Sequence, residues 1–184
     1  MSWNKIIAVI ISRLFPNSRR GLKERLRLDH EAAVTLYGQG SYDQARTKID
    51  ENFTLAEKLG EISFDRADYL DLAADFFHST GNYSLSEEPA RSSLRIREAI
   101  FGEDDPAISE SLNNLGLLLY AQGRDDEAVN QFSRLVNILK KHSPQTRELA
   151  ICLDNLAAAL RRLDRSAEAE EATAKAAGIR EKLK

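Results

Sequence analysis

"SLNNLGLLLYAQGRDDEAVNQF", Ser111 to Phe132, sets leucines at helical spacing, breaks at a glycine, and resumes with a second helical pattern. Leu112, Leu115 and Leu119 recur three and four residues apart, so they share one helix face, and Gly123 ends that helix. Beyond the glycine, Ala128, Phe132, Leu135 and Val136 line a second helix, with Asp125 placed to cap its start. Upstream, Asp105 before Pro106 reads as an N-cap followed by a proline at the first helical position. Small residues, Gly116 and Ala128, stand where the two helices would cross. A bulkier side chain at such a crossing costs about 1 to 3 kcal/mol by overpacking. Helices this short are marginal alone in water, so the unit needs neighbours against which to bury its apolar stripes.

The chain supplies those neighbours. "YGQGSYDQA" (Tyr37 to Ala45), "HSTGNYSLS" (His78 to Ser86), "YAQGRDDEA" (Tyr120 to Ala128) and "RRLDRSAEA" (Arg161 to Ala169) align on Gly40, Gly81, Gly123 and Asp164, spaced 41, 42 and 41 residues. Each repeat reads as two helices, placed at about 24–38, 42–58, 64–79, 83–100, 106–121, 125–140, 145–162 and 166–182. "SYDQ" (Ser41 to Gln44) and "SLSE" (Ser84 to Glu87) have capping-box spacing. No strand pattern competes. The expected fold is all-α: a right-handed α-solenoid of about four helix-turn-helix repeats, the first helix of each pair lining a concave face, preceded by an extra N-terminal helix. The expected organisation is a leader over about 1–20 and a repeat domain over 21–184, with repeats at about 24–60, 61–102, 103–143 and 144–184.

Composition narrows the function. The 184 residues are 42% hydrophobic and 30% charged, as in a soluble folded domain. The lone cysteine, Cys152, excludes an internal disulfide and a cysteine metal cluster, and it fits a reducing, cytoplasmic setting. His30, His78 and His142 lie far apart with no metal-ligand spacing, so neither metal nor cofactor is expected. No glycine-rich phosphate loop, serine elbow or flanking carboxylate pair is present, and His78 near Asp75 is the nearest approach to an acid–base pair. A non-catalytic protein is expected.

"SSLRIREAIFGEDDPAISESLNNLGLLLYAQGRDDEAVNQF" (Ser92 to Phe132) and, more loosely, "LDNLAAALRRLDRSAEAEEATAKAAGIREK" (Leu153 to Lys182) resemble tetratricopeptide repeats. The resemblance is to the long variety found in kinesin light chains and many bacterial proteins, and it covers the chain from Arg25 to the end. Ala33, Ala74 and Ala157 match Gly116, while Ala45 and Ala169 match Ala128. Three positions depart from the pattern: Ser86 replaces a small alanine, Leu135 stands where alanine is usual, and Asp164 replaces the turn glycine. The resemblance implies binding of a protein or peptide partner, of unstated identity, in the concave groove. Carried over repeat by repeat, groove positions fall on His30, Val34 and Tyr37; Asp68, Asp71, Asp75 and His78; Asn113, Asn114, Leu117 and Tyr120; and Asp154, Asn155, Ala158, Arg161 and Arg162. Asn114 and Asn155 would bond a partner's backbone, since an amide both donates and accepts. The Asp trio would favour Lys or Arg on the partner, and Arg161 and Arg162 an acidic group, together implying a mixed-charge peptide.

The net charge of −3 hides an asymmetry: Met1 to Leu28 carries Lys5, Arg13, Arg19, Arg20, Lys23, Arg25 and Arg27 against Glu24 alone. In "MSWNKIIAVIISRLFPNSRR", Trp3, Ile6, Ile7, Ile10, Ile11 and Leu14 share one helical side, and Pro16 stops the helix. The apolar run is too short to span a bilayer. Trp3, Ile7, Ile10 and Leu14 are therefore candidates for contact with a membrane surface or a partner, or for capping the first repeat. Nucleic acid is not expected, because the acidic remainder would repel phosphates. At the other end, Ala172, Ala176, Ile179 and Leu183 are expected to be partly exposed, which would allow self-association through the C-terminal helix.

Overall fold

A computed structural model describes residues 10–11, 13–14, 17–59 and 64–183. From Arg19 onward the described residues form eight α-helices: α1 (Arg19–Gly38), α2 (Tyr42–Leu59), α3 (Phe64–Ser79), α4 (Tyr83–Phe101), α5 (Ser109–Ala121), α6 (Asp125–His142), α7 (Arg147–Arg162) and α8 (Ser166–Lys182). A short 3-10 turn, Pro106–Ile108, leads into α5. The fold is the all-α repeat solenoid that the repeat spacing implies.

Each pair is closed by the same turn. Gly40, Gly81 and Gly123 take φ of 76°, 76° and 77°, and Asp164 takes 58°. In all four turns this residue donates its N–H three residues back, and the next residue donates five residues back, as in Gly123 to Tyr120 and Arg124 to Leu119. That bonding satisfies carbonyls a helix end leaves open, and it requires the left-handed backbone that glycine adopts without strain. Identical turns give the four pairs one common geometry.

Helix starts differ from expectation in three places. α1 begins at Arg19 rather than near residue 24, because Ser18 caps it by accepting from the Gly21 N–H at 3.0 Å. Asp125 does not cap α6: it is already the first helical residue, and Arg124 occupies the cap position. α4 starts at Tyr83 behind Asn82, so Ser84 lies inside the first turn and the expected capping box is not made. Asp105 does cap, accepting from Ala107 N–H at 2.8 Å, but the element it starts is the 3-10 turn.

Paired helices pack closely, and first helices of neighbouring repeats also approach one another closely, whereas second helices of neighbouring repeats stand farther apart and meet through ion pairs such as Arg91–Glu127. A curved stack brings its inner layer together and spreads its outer layer, so α1, α3, α5 and α7 form the concave side. The crossing residues explain the tight pairing. A Cβ on Gly116 would meet the Phe132 ring at 2.6 Å, and Ala33, Ala45, Ala128, Ala157 and Ala169 are fully buried. Ser86, the departure from alanine, is buried and donates to the Ala74 carbonyl at 2.7 Å, so its hydroxyl is satisfied. Leu135 is buried as well.

Buried apolar side chains fall into two clusters. One joins α1, α2 and α3 through Leu26, Ile49, Leu70, Phe76 and Phe77. The other runs from Ala90 and Leu94 of α4 through α5 to α8. Between them lies a polar seam: Ser93 and Ser111 meet at 3.5 Å, and Arg97, only 7% exposed, bonds Asp68 and Asp71 at 2.6 and 2.8 Å.

Candidate functional site

The concave face is built from one stripe of each first helix. On α1, Val34 is exposed, His30 and Tyr37 are half-buried, and Tyr37 packs edge-on against Tyr42 and Phe76 at 5.6 and 5.8 Å. Burial holds His30 below the ordinary histidine range, against the opposing pull of Asp68 and Glu31. On α3, Asp75 and His78 follow Asp71 at helical spacing, and His78 stacks edge-on with Tyr83 at 5.3 Å.

On α5 and α7 two amides meet: Asn155 Nδ2 lies 3.4 Å from Asn113 Oδ1, linking equivalent positions of adjacent repeats. Leu117 is 37% exposed, a large apolar side chain open to solvent among polar neighbours. Asp75 and His78 of α3 and Asn114 and Leu117 of α5, expected from two separate stretches of sequence, line one cleft over Ala74, Ser86, Ala90 and Leu118. At about 60 Å³ it is a notch in an open surface, far below the roughly 300 Å³ of a small-molecule pocket.

Other expected residues are committed internally. Asp68 and Asp71 are held by Arg97 of α4. Asp154 pairs with Arg180, and Arg161 donates to Thr173 Oγ1 at 2.7 Å. Arg162 donates to the Tyr120 carbonyl at 2.8 Å, lies 3.1 Å from Asp125, and covers the Tyr120 ring at 4.3 Å. Arg97 was missed by sequence reasoning, although it carried a signal: an arginine three residues beyond Leu94 occupies a buried-stripe position and needs a carboxylate partner. Glu110 and Ile151, both exposed, also escaped notice; they stand at the start of the concave stripes of α5 and α7, one turn before Asn114 and Asn155.

Cys152 is buried and donates weakly to the Phe132 carbonyl, and burial, then Glu148, pushes its thiol up to about 12. Such a thiol is inert as a nucleophile at neutral pH. Among the described residues, no three His, Cys, Asp or Glu side chains converge as a metal site, and no helix is long and apolar enough to cross a membrane. Trp3 and Ile7 lie outside the described residues. Ile10 and Leu14, one helical turn apart, are 47% and 67% exposed. The expected exposure at the C-terminal end is half right. Ala172 and Ala176 are buried, because they close against α7 and α6, while Ile179 is half-buried and Leu183 is 49% exposed.

Stacked helix pairs with one shared turn and an open concave face define a helical-repeat solenoid. Models of the tetratricopeptide repeat match residues 65–141 and 149–183, together more than half of the chain. The protein belongs to the tetratricopeptide repeat family. Such repeats are generally protein-interaction modules and typically non-catalytic.

Among solved structures, BtubC (BKLC) from P. vanneervenii is similar at 21% identity and a TM-score of 0.81 over 88% of this chain, which spans 65% of BtubC. The nearly identical kinesin light chain TPR-like repeats from Podosopora anserina give 20% identity and a TM-score of 0.77, over 88% of this chain and 77% of that one. YrrB, a TPR protein with an unusual peptide-binding site, gives 20% identity and a TM-score of 0.53, over 94% of this chain and 82% of its own. No curated protein sequence matches.

Proposed function

We propose that the protein is a non-catalytic adaptor that holds a peptide segment of a partner protein along the concave face of α1, α3, α5 and α7. The observation that carries this reading is the amide row of Asn113, Asn114 and Asn155 beside the exposed Leu117. The Asn113–Asn155 contact, long at 3.4 Å, uses one donor and one acceptor, so most of the row's bonding capacity is left for a passing backbone of any sequence. YrrB, with the same fold, has a peptide-binding site. The test is partner capture from lysate by the full chain and by an Asn114→Ala, Asn155→Ala variant of equal helicity. Capture lost with the variant is the expected result; unchanged capture overturns the groove reading.

A second reading rests on the exposed Ile10 and Leu14, which give the basic leader an apolar edge with no cover among the described residues. Here the leader lies on an anionic membrane surface and the solenoid assembles there. Sedimentation with anionic liposomes, with and without residues 1–20, separates the two. Loss of co-sedimentation on deletion favours the membrane, and no co-sedimentation in either case excludes it.

A further inference from the structure

We infer that the segment held on the concave face is cationic, with a Lys or Arg side chain lying along Leu117 and ending between Asp75 of α3 and Glu110 of α5. This rests on the groove reading above and names the ligand chemistry it leaves open.

Most charges on the concave side already have partners within the chain. Arg97 bonds both Asp68 and Asp71, cancelling one of their two negative charges. Arg180 neutralises Asp154, Arg27 is spent on Glu24 and Glu31, and Arg162 on Asp125. Arg161 keeps its charge but is drawn toward α8 by Thr173. Asp75 and Glu110 remain, neither in an ion pair among the described residues. The acidic half of the mixed-charge peptide expected from the sequence then rests on Arg161 alone, and the attraction for Lys or Arg centres on Asp75 and Glu110, beside the one charge that Arg97 leaves uncancelled on Asp68 and Asp71.

Geometry gives the two carboxylates an apolar runway. Asp75 lines the cleft with Asn114 and Leu117, and Glu110 stands one turn before Asn114 on the same face of α5. A long basic side chain needs such a surface: its methylene stem covers Leu117 while its head reaches the carboxylates. Although Asp75 reaches solvent, the protein mass around the concave face withdraws part of its hydration. That loss, and then the nearby Asp71 and Glu110, outweigh the opposing pull of His78 and push its carboxyl above the ordinary range. An arriving cation relieves that repulsion, whereas an acidic segment adds to it.

The test is selection of a displayed random 12-residue peptide library on the full chain, followed by affinity measurement of the enriched sequences as synthetic peptides. Enrichment of Lys or Arg beside Leu, Ile or Met is expected. Affinity should fall about tenfold on Asp75→Asn with Glu110→Gln, the size of a lost charge-assisted bond. Asp75→Lys should turn the selection toward acidic peptides, a gain that a misfolded variant cannot imitate. Acidic or uncharged winners that still require Asn114 and Asn155 overturn the cationic ligand and leave the groove standing. Winners indifferent to all these variants, or no winners, overturn both. If a synthetic peptide of residues 1–17 binds more tightly than every winner, the occupant is the chain's own leader and the proposal fails.

Discussion

A methyl group on Gly116 would lie 2.6 Å from Phe132 Cε1, and both residues are buried at the centre of the third helix pair. Gly116→Ala is expected to lower stability by about 1 to 3 kcal/mol, read as a drop in thermal midpoint. Adding Phe132→Leu should recover part of that loss, because the smaller side chain frees the space the methyl needs. Asp164 makes the opposite case, holding φ of 58° where the other three turns have glycine. Asp164→Gly should raise stability by up to about 1 kcal/mol and Asp164→Val lower it by about 1 to 2, since a branched side chain crowds the left-handed backbone. Both residues were legible in the sequence from their place in the repeat. Arg97 was not, because its meaning depends on Asp68 and Asp71, which lie 29 and 26 residues away and reach it only once α3 and α4 have paired.

Among the elements, the seam along Ser93, Arg97 and Ser111 separates two apolar clusters of unequal extent. On α2, Asn52 is buried with no hydrogen-bond partner among the described residues, a defect that costs about 1 to 3 kcal/mol. Amides of α1 and α2 should therefore exchange with solvent before those of α5 to α8 under native conditions, measured peptide by peptide by hydrogen exchange. Uniform exchange along the chain would contradict a division at the seam. Leucine periodicity and turn glycines made helix pairing legible, because these signals are local. Caps proved harder to read: Ser84 and Asp125 have the right chemistry for a helix start, yet the shared turn places the cap two residues earlier in the first case and one in the second. The seam itself could not be read, since serines at buried stripe positions look like surface residues until their neighbours are known.

For the molecule as a whole, charge distribution along the groove decides how stability responds to pH. Asp75 has its carboxyl held above the ordinary range in the folded state. The folded state then retains the Asp75 proton to higher pH than the unfolded chain, so this site costs stability as pH rises from the ordinary carboxylate range through the raised value. Asp75→Asn should accordingly raise the thermal midpoint at pH 7, with the difference fading below pH about 4, where both states are protonated. A difference that grows on acidification would reverse that sign. The sequence placed Asp75, His78, Asn114 and Leu117 on helix faces correctly enough for all four to reach one cleft. It could not show which charges were already spent, because each depends on a second helix.

The repeats are also fastened to one another at the turns. Gln122 donates to the Tyr83 carbonyl, Arg124 and Arg91 cross between α4 and α6 to Glu87 and Glu127, and Arg162 ties the fourth repeat to the third through Tyr120 and Asp125. Between the first and second repeats Tyr69 donates to the Ile49 carbonyl, and Arg46 lies over the Phe77 ring at 6.0 Å. Stretched between its ends, such a stack behaves as a chain of springs in series. The clasps between the second, third and fourth pairs would share the load and keep Asp75, Glu110 and the amide row in register.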